Sequence, residues 1–241
     1  MYLKNPQGGR EKIMKRLLGF FLVIFVCTPP VIAQERLDFC SPAVIVKGRS
    51  FANASIASWL GLRFDSKKRT ISDSQTSLQL KNSDLVRVNT STFSDIILLK
   101  VRTLCESFGY YCYYQNGRVY LVGKGLFGFF KPEPYIRLHF SSLRGRGSFG
   151  NFFFPISGGR KEFPVPRGWF WIYQKDKDHI SSQWPKPYGG AKMPYSLFFF
   201  KGSAIHAGSL QIPSHACVHV RLKDAKKLFR MVKLYTLVYI S

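Results

Sequence analysis

One cysteine and three of the chain's five histidines lie in a short stretch near the C-terminus. The stretch reads Ile205-His206-Ala207-Gly208, then a loop, then Ser214-His215-Ala216-Cys217-Val218-His219. A cysteine attacks as its thiolate, so it needs a neighbour that takes its proton, and an imidazole suits that role. The stretch therefore indicates Cys217 as a candidate nucleophile, with His206 or His215 as its base.

Spacing leaves both histidines open. In a strand, His215 and Cys217 project from the same face because they are two residues apart. His206 reaches Cys217 only if the segments on either side of the loop run side by side, and the apolar residues that flank the loop fit two paired strands, with residues 208–213 turning between them. We favour His206 as the base. In the alternative interpretation Cys217 is a small buried residue without chemistry, as most cysteines are.

These residues and their flanks resemble the active-site signature of the L,D-transpeptidases of the YkuD type, cysteine enzymes that act on bacterial peptidoglycan. In that family a strand ends in Ile-His-(Gly/Ala), and a loop then leads to Ser-His-Gly-Cys-(Ile/Val)-Arg. Four flanking segments also resemble the family's pattern, in the same order: Pro155–Gly159, Val165–Ile172, Met193–Phe199 and Asp224–Phe229. The resemblance covers about residues 134 to 240.

The resemblance implies a mainly β catalytic domain over residues 134–241, a β-sandwich with a short helix. It implies acyl transfer on peptidoglycan stem peptides through a thioester on Cys217, for cell-wall cross-linking or remodelling, with carbapenems as inhibitors and no metal or cofactor. Water as acceptor would make the reaction a carboxypeptidase reaction. The resemblance also implies a role for each residue of the site. His206 transfers the proton, and the carbonyl of Ala207 orients the His206 ring. The N–H groups of Ala216 and Cys217, together with His215, bind the oxyanion, while Ser214 supports the turn and Tyr195 contacts the acyl group.

Two residues depart from the family's pattern. Ala216 stands where the family has Gly, and a methyl group at positive φ costs about 1 kcal/mol or more. His219 stands where the family has Arg, so the bidentate fork that binds a carboxylate is missing at that position. The loop between His206 and Ser214 is also short for the family. These differences keep a second hypothesis open, an exported peptidoglycan-binding protein whose transpeptidase domain is inactive.

The first 33 residues read as a signal peptide. Lys12, Lys15 and Arg16 precede the apolar run Leu17–Val26, which is too short to span a bilayer, and Val31-Ile32-Ala33 offers a cleavage site. We expect export to the periplasm or cell wall and no stable membrane span after cleavage. Cleavage removes five basic residues and one acidic residue, so the formal charge falls from +23 to +19. This charge indicates either anionic wall material as partner or simply a solvated surface, and we expect no nucleic acid as partner.

Between the signal peptide and the catalytic domain, residues 40–123 read as a small α+β domain of two strand-helix-hairpin repeats. It loosely resembles the N-terminal domain of copper amine oxidases. The first repeat has a strand over Val44–Gly48 and a helix over Ala54–Gly61, and the second has a helix over Ile97–Phe108 and a hairpin that turns at Asn116-Gly117. Residues 124–133, which contain Gly and Pro, read as a linker.

Two further features of this N-terminal domain leave alternatives open. Cys105 and Cys112 flank a turn, so they either form a disulfide or remain small buried residues. The tyrosines at 110, 111, 113 and 114 have the chemistry to stack on sugars, although an alternating aromatic strand is more often half core and half surface.

Overall fold

The computed structural model describes residues 35–91, 94–185 and 187–241. The predicted signal peptide lies outside the described residues. In chain order the strands are β1 (Glu35–Arg36), β2 (Ala43–Val46), β3 (Arg49–Asn53), β4 (Arg63–Asp65), β5 (Thr70–Ser72), β6 (Ser77–Gln79), β7 (Leu85–Asn89), β8 (Ile96–Lys100), β9 (Tyr111–Gln115), β10 (Arg118–Gly123), β11 (Leu126–Phe130), β12 (Ile136–Phe140), β13 (Arg144–Phe149), β14 (Phe152–Ser157), β15 (Gly168–Trp171), β16 (Gln174–Ile180), β17 (Lys192–Phe200), β18 (Ser203–Ala207), β19 (Val218–Val220) and β20 (Leu237–Ile240).

The helices are α1 (Ser55–Trp59), α2 (Val101–Phe108) and α3 (Leu222–Met231), with 3₁₀ turns at Asp38–Cys40 and Asn82–Asp84. The predicted fold class, a small α+β region followed by a mainly β region with a short helix, is confirmed. Within the described parts of the chain, no helix has the length and apolarity that a membrane crossing requires.

The N-terminal region repeats a unit, as predicted, but each unit has one strand more than the sequence indicates. In the first unit β2 and β3 form a hairpin before α1, and in the second β7 and β8 form a hairpin before α2. The predicted helix from Ile97 is therefore wrong over its first turn, since α2 begins only at Val101. Ile96 and Ile97 are β-branched and pair with Val88 and Arg87 of β7, and the carbonyl oxygen of Ile97 also accepts a hydrogen bond from Ala54 N–H, so these backbone hydrogen bonds outweigh helix formation there.

The hairpin predicted at Asn116-Gly117 is present, and both turn residues have positive φ. Its second strand, β10, continues into β11 through a tight turn, and β11 also pairs with β1. The segment predicted as a linker therefore contains a strand, because the apolar run Leu126–Phe130 completes a four-stranded sheet in the order β1-β11-β10-β9.

Thirteen strands form one long sheet, in the order β16-β17-β18-β19-β14-β13-β12-β20-β15-β7-β8-β3-β2. The parallel pairing of β15 with β7 carries this sheet from the C-terminal region into the N-terminal one. The domain boundaries at 40–123 and 134–241 remain predictions. In the C-terminal region α3 packs on the sheet over a buried apolar core, which includes Leu138, Phe170 and Phe199.

Helix α3 is fixed at its C-terminal end by a lysine from a neighbouring strand. Nζ of Lys175 donates hydrogen bonds to the carbonyl oxygens of Phe229 at 2.7 Å and Val232 at 2.6 Å. These are carbonyls that a helix end leaves without an intrahelical partner, and a cation there also interacts favourably with the helix dipole. The contact holds α3 against the strands that carry the candidate site.

Candidate functional site

Strands β18 and β19 bring the candidate residues together. They pair in parallel, with His206 opposite His219 and Ile205 opposite Val218. Residues opposite each other on neighbouring strands project to the same face, and Cys217 is two residues before His219. His206, Cys217 and His219 therefore share one face of the sheet. The paired strands that the sequence predicts are present, although they run in parallel rather than as a hairpin.

His206 is oriented by the backbone of the next residue. Its Nδ1 lies 2.9 Å from the carbonyl oxygen of Ala207, and the side chain is only 5% exposed. A carbonyl oxygen only accepts, so this contact places the ring proton on Nδ1 and leaves Nε2 as the basic nitrogen. The Ala207 carbonyl therefore contacts His206 as expected for the third member of a Cys-His-carbonyl arrangement. The ring of His219 packs edge-on against that of His206, with centroids 4.9 Å apart.

Burial sets the protonation states of both groups. It lowers the pKa of His206 to about 4, and the charge on His219 contributes a smaller effect in the same direction. It raises the pKa of the Cys217 thiol, and a hydrogen bond with the backbone of Ala204 opposes this only in part. At neutral pH the pair therefore rests as a neutral thiol and a neutral imidazole. The imidazole is in the form that accepts a proton.

The loop that carries Cys217 is held by a second segment, residues 158–163. Ser214 N–H donates to the carbonyl oxygen of Gly158, Arg160 N–H donates to that of Ser214, and each of these contacts is 3.0 Å. Ala216 N–H donates to the carbonyl oxygen of Phe163, also at 3.0 Å. A Cβ at Gly159 would lie 1.9 Å from that Phe163 oxygen, so only glycine allows the two segments to approach this closely.

These contacts bear on the predicted oxyanion donors. The N–H of Ala216 is already bonded to Phe163, so in this conformation it does not point at a substrate oxygen. Ala216 also adopts φ +67°, the left-handed region in which the family pattern has glycine. The departure noted in the sequence thus falls on a backbone position that is strained for an alanine.

The shared face opens into a cleft of about 1050 Å³. Its described walls are the segments 160–163, 181–185, 187–193, 201–203 and 208–217, and Cys217, His206 and His215 all line it. His215 stacks on Trp184, with ring centroids 3.6 Å apart and planes at 24°, and lies 4.9 Å from Phe163. His215 therefore forms part of an aromatic wall beside the nucleophile.

The other predicted site residues differ in their placement. Ser214 is buried and its Oγ donates to the carbonyl oxygen of Cys217 at 2.5 Å, so it supports the turn and its hydroxyl is not directed at a substrate. Tyr195 packs edge-on against Phe229 of α3 and is not among the described residues that line the cleft. Its backbone has φ +57°, and Tyr195 has no register partner where β17 pairs with β16. The substrate role of Tyr195 remains a prediction.

One residue of the cleft was missed in the sequence. Arg160 lines the cleft next to the Cys217 loop, and residues 181–185 and 187–191 form the far wall around Trp184. Arg160 lies between two segments that resemble the family, but no local pattern marks it. Its position becomes visible only through its hydrogen bond with Ser214, which is distant in sequence.

Comparison with known protein families gives a match to the C-terminal part of the chain. The family model of the L,D-transpeptidase catalytic domain (YkuD) matches residues 144–240. The resemblance predicted from the motifs is confirmed by this match. The likeness of the N-terminal region to copper amine oxidases remains a prediction. No curated protein matches the chain.

Solved structures similar to this chain are also L,D-transpeptidases. One from Mycobacterium smegmatis is 12% identical, with 86% of this chain and 94% of that chain covered and a TM-score of 0.45. L,D-transpeptidase 3 from Mycobacterium tuberculosis, solved with a faropenem-derived adduct, is 14% identical, with the same coverage and a TM-score of 0.45. The catalytic domain of the E. faecium enzyme is 20% identical, with 45% of this chain and 97% of that chain covered and a TM-score of 0.36.

Proposed function

Residues 144–240 match the family model of the L,D-transpeptidase catalytic domain, and we propose that this protein is an exported cysteine transpeptidase that cross-links or remodels peptidoglycan through stem peptides. The observation that carries the proposal is the position of His206. Its Nδ1 is bonded to Ala207, and it shares a sheet face and a cleft with Cys217. A neutral imidazole base and a thiol that line the same open cleft are the groups that acyl transfer requires.

In the first step the sulfur of Cys217 attacks the amide carbonyl between an L-centre and the terminal D-alanine of a donor stem. A C–S bond forms, and Nε2 of His206 takes the thiol proton and passes it to the leaving amine as the C–N bond breaks. In the second step an amine of another stem attacks the thioester. His206 takes the amine's proton, the C–S bond breaks, and the proton returns to the sulfur.

The neutral resting pair fits this order of events. Because burial keeps His206 neutral and the thiol protonated, proton transfer accompanies attack instead of preceding it. Oxyanion stabilisation would fall to donors of the 214–217 loop after the Ala216–Phe163 bond has opened, with His215 at its edge. Water in place of the amine would give carboxypeptidase activity from the same thioester.

The test is acylation by a carbapenem, because the relatives include a transpeptidase solved with imipenem. The purified protein is incubated with imipenem and its intact mass is measured. We expect one adduct that maps to Cys217, is lost in Cys217→Ala and is kept in the matched variant Cys112→Ala. Release of D-alanine from a tetrapeptide stem then measures turnover.

A second function is favoured by one observation. Ala216 is strained at φ +67° and its N–H is bonded to Phe163, which fits an exported wall-binding protein that has lost turnover. Absence of any imipenem adduct, together with binding of the protein to isolated peptidoglycan, would support this alternative and overturn the enzymatic proposal.

A further inference from the structure

We propose that the guanidinium of Arg160 is the carboxylate-binding group of the cleft, and that it receives the terminal carboxylate of the donor stem beside the scissile bond. The identity of the stem rests on the proposed function. The carboxylate subsite itself is argued from the residues of the cleft, and it is tested below without turnover.

Arg160 is held next to the nucleophile. Its N–H donates to the carbonyl oxygen of Ser214, and its own carbonyl accepts from Phe163 N–H, both at 3.0 Å. The preceding residue, Gly159, forms a parallel bridge with Ser214. These contacts fix the backbone of Arg160 directly against the loop that presents Cys217, and the side chains of Arg160 and Cys217 both line the cleft. The Arg160 charge also lowers the pKa of His215, after the larger effect of desolvation.

Among the described residues, no acceptor forms a hydrogen bond with the Arg160 side chain. Its Nε is buried without a hydrogen-bond partner, and among the described residues the side chain forms no ion pair. A buried donor without a partner is unfavourable, and more so when it is charged. A guanidinium presents its donors as a planar fork that matches a carboxylate. A ligand carboxylate in the cleft would therefore satisfy the group that the fold leaves unsatisfied.

The charges around Arg160 favour an anion. The described lining of the cleft carries Arg160, Lys192 and Lys201 but neither Asp nor Glu. A second basic cleft, in the N-terminal region, differs in this respect. There Arg69 bonds to Asn82 at 2.6 Å and Arg87 pairs with Asp95 at 3.3 Å. The cleft at Cys217 is thus the one of these two whose guanidinium is available to a ligand.

Arg160 also supplies the guanidinium that is missing at position 219, where the family pattern has Arg. His219 offers no fork, and its Nδ1 is bonded to the carbonyl oxygen of Ser209 at 2.9 Å. In this chain the guanidinium near the nucleophile comes instead from the segment after β14. Carboxylate binding in this site is therefore assigned to that segment and not to position 219.

The first experiment compares two alkylating reagents on Cys217. Iodoacetate and iodoacetamide react alike, the sulfur displacing iodide as a C–S bond forms, but only iodoacetate carries a carboxylate, one CH₂ from the sulfur. Rates are read by peptide mass spectrometry, which separates Cys217 from the other thiols. The ratio of the two rates cancels any change in the thiol pKa. We expect Arg160→Gln to lower the ratio of the iodoacetate rate to the iodoacetamide rate by about tenfold. The iodoacetamide rate itself should be nearly unchanged, which shows that the site is still folded.

Two variants serve as controls. Lys192→Gln removes one charge from the same cleft and should change the ratio by about twofold or less, because an exposed charge is screened. Arg69→Gln should not change it. An unchanged ratio in Arg160→Gln, or an equal fall in Lys192→Gln, would overturn the proposal.

The second experiment uses donor peptides that end in D-alanine with a free carboxylate or an amide. The wild-type protein should prefer the carboxylate, Arg160→Gln should lose that preference, and Arg160→Lys should regain part of it. If no peptide or carbapenem reacts while the reagent ratio still depends on Arg160, the proposed function fails and the carboxylate subsite stands. If peptides turn over with no dependence on Arg160, the subsite fails and the function stands.

Discussion

Cys217 and Cys112 are both partly exposed thiols, yet their surroundings shift their acidity in opposite directions. A hydrogen bond from the Cys105 thiol is the largest cause that lowers the pKa of Cys112, and the charge on Arg102 adds to it. Burial raises the pKa of Cys217. By acidity alone, the reactive thiol of this protein would be placed in the N-terminal region.

The groups around the two thiols favour Cys217 instead of Cys112 as the reactive thiol. Every histidine of the chain lies at position 139 or later, so the N-terminal region supplies no imidazole base. Cys217 shares its sheet face with His206 and opens into the cleft, whereas Cys112 packs beside the N-terminal core. A nucleophile is defined here by a base and by access to a ligand, and an acidic thiol without them is not a site.

Removal of the base should have the largest effect, because it removes the group that distinguishes Cys217 from Cys112. His206→Ala is expected to slow acylation of Cys217 by imipenem about 10²- to 10⁴-fold, because the thiol loses its proton acceptor. Alkylation of Cys112 should not change. The matched variant is His139→Ala, an exposed histidine on β12 that contacts Ser241. A loss below about tenfold in His206→Ala would assign the base elsewhere.

The two thiols should also differ in how their reaction rates depend on pH. Since the pKa of His206 is lowered to about 4, the base stays neutral as pH falls through 6.5, and acylation should decline only near pH 4. With an ordinary imidazole pKa of about 6.5, the rate at pH 5 would already be down about 30-fold. Alkylation of Cys112 should instead fall as its thiolate is protonated, well above pH 4. Acylation rates measured from pH 4 to 8 decide this, and a midpoint near 6.5 would contradict a buried neutral base.

Cys105→Ala should remove much of the difference in acidity. Without the hydrogen bond from Cys105 the pKa of Cys112 rises towards its ordinary value, so its alkylation at pH 7 should slow about tenfold. The rate at Cys217 should be the same as in the wild type. Equal rates at Cys112 in both proteins would mean that Arg102, and not Cys105, sets the acidity of that thiol.

The smallest expected effects come from backbone strain, which also differs between the regions. Near Cys112 the positive φ of +74° falls on a glycine, Gly109, whereas beside Cys217 the φ of +67° falls on Ala216. Ala216→Gly should raise the free energy of unfolding by about 1 kcal/mol, and Gly109→Ala should lower it by about as much. A Cβ at Gly109 would meet nothing closer than Cε of Lys124 at 3.6 Å, so the cost there is conformational.

Urea unfolding of both variants measures these changes. The opposite signs are the test, since a methyl group at position 216 that packs favourably would make Ala216→Gly destabilising as well. Imipenem acylation of Ala216→Gly is informative in addition, because a faster reaction would mean that the strained loop limits the wild-type enzyme.

The sequence determined the features that depend on neighbours in the chain. The Asn116-Gly117 hairpin, the apolar face of α3 and the Cys-His motif are set by turn chemistry, helical periodicity and residue type, which act over a few positions. The motifs also sufficed to predict the resemblance to the L,D-transpeptidase catalytic domain, since several of them occur in a fixed order, and the family model matches residues 144–240.

Only the tertiary structure decided which groups surround the nucleophile. The start of α2 at Val101, the turn of Tyr195 towards α3, the bond from Ala216 to Phe163 and the place of Arg160 beside His215 all depend on partners far away in sequence. Strand register and long-range backbone hydrogen bonds are settled when the whole sheet forms, because each strand's ladder competes with its local preferences. The sequence thus supplied the sulfur and the imidazole, and the parallel pairing of β18 with β19 placed them on one face.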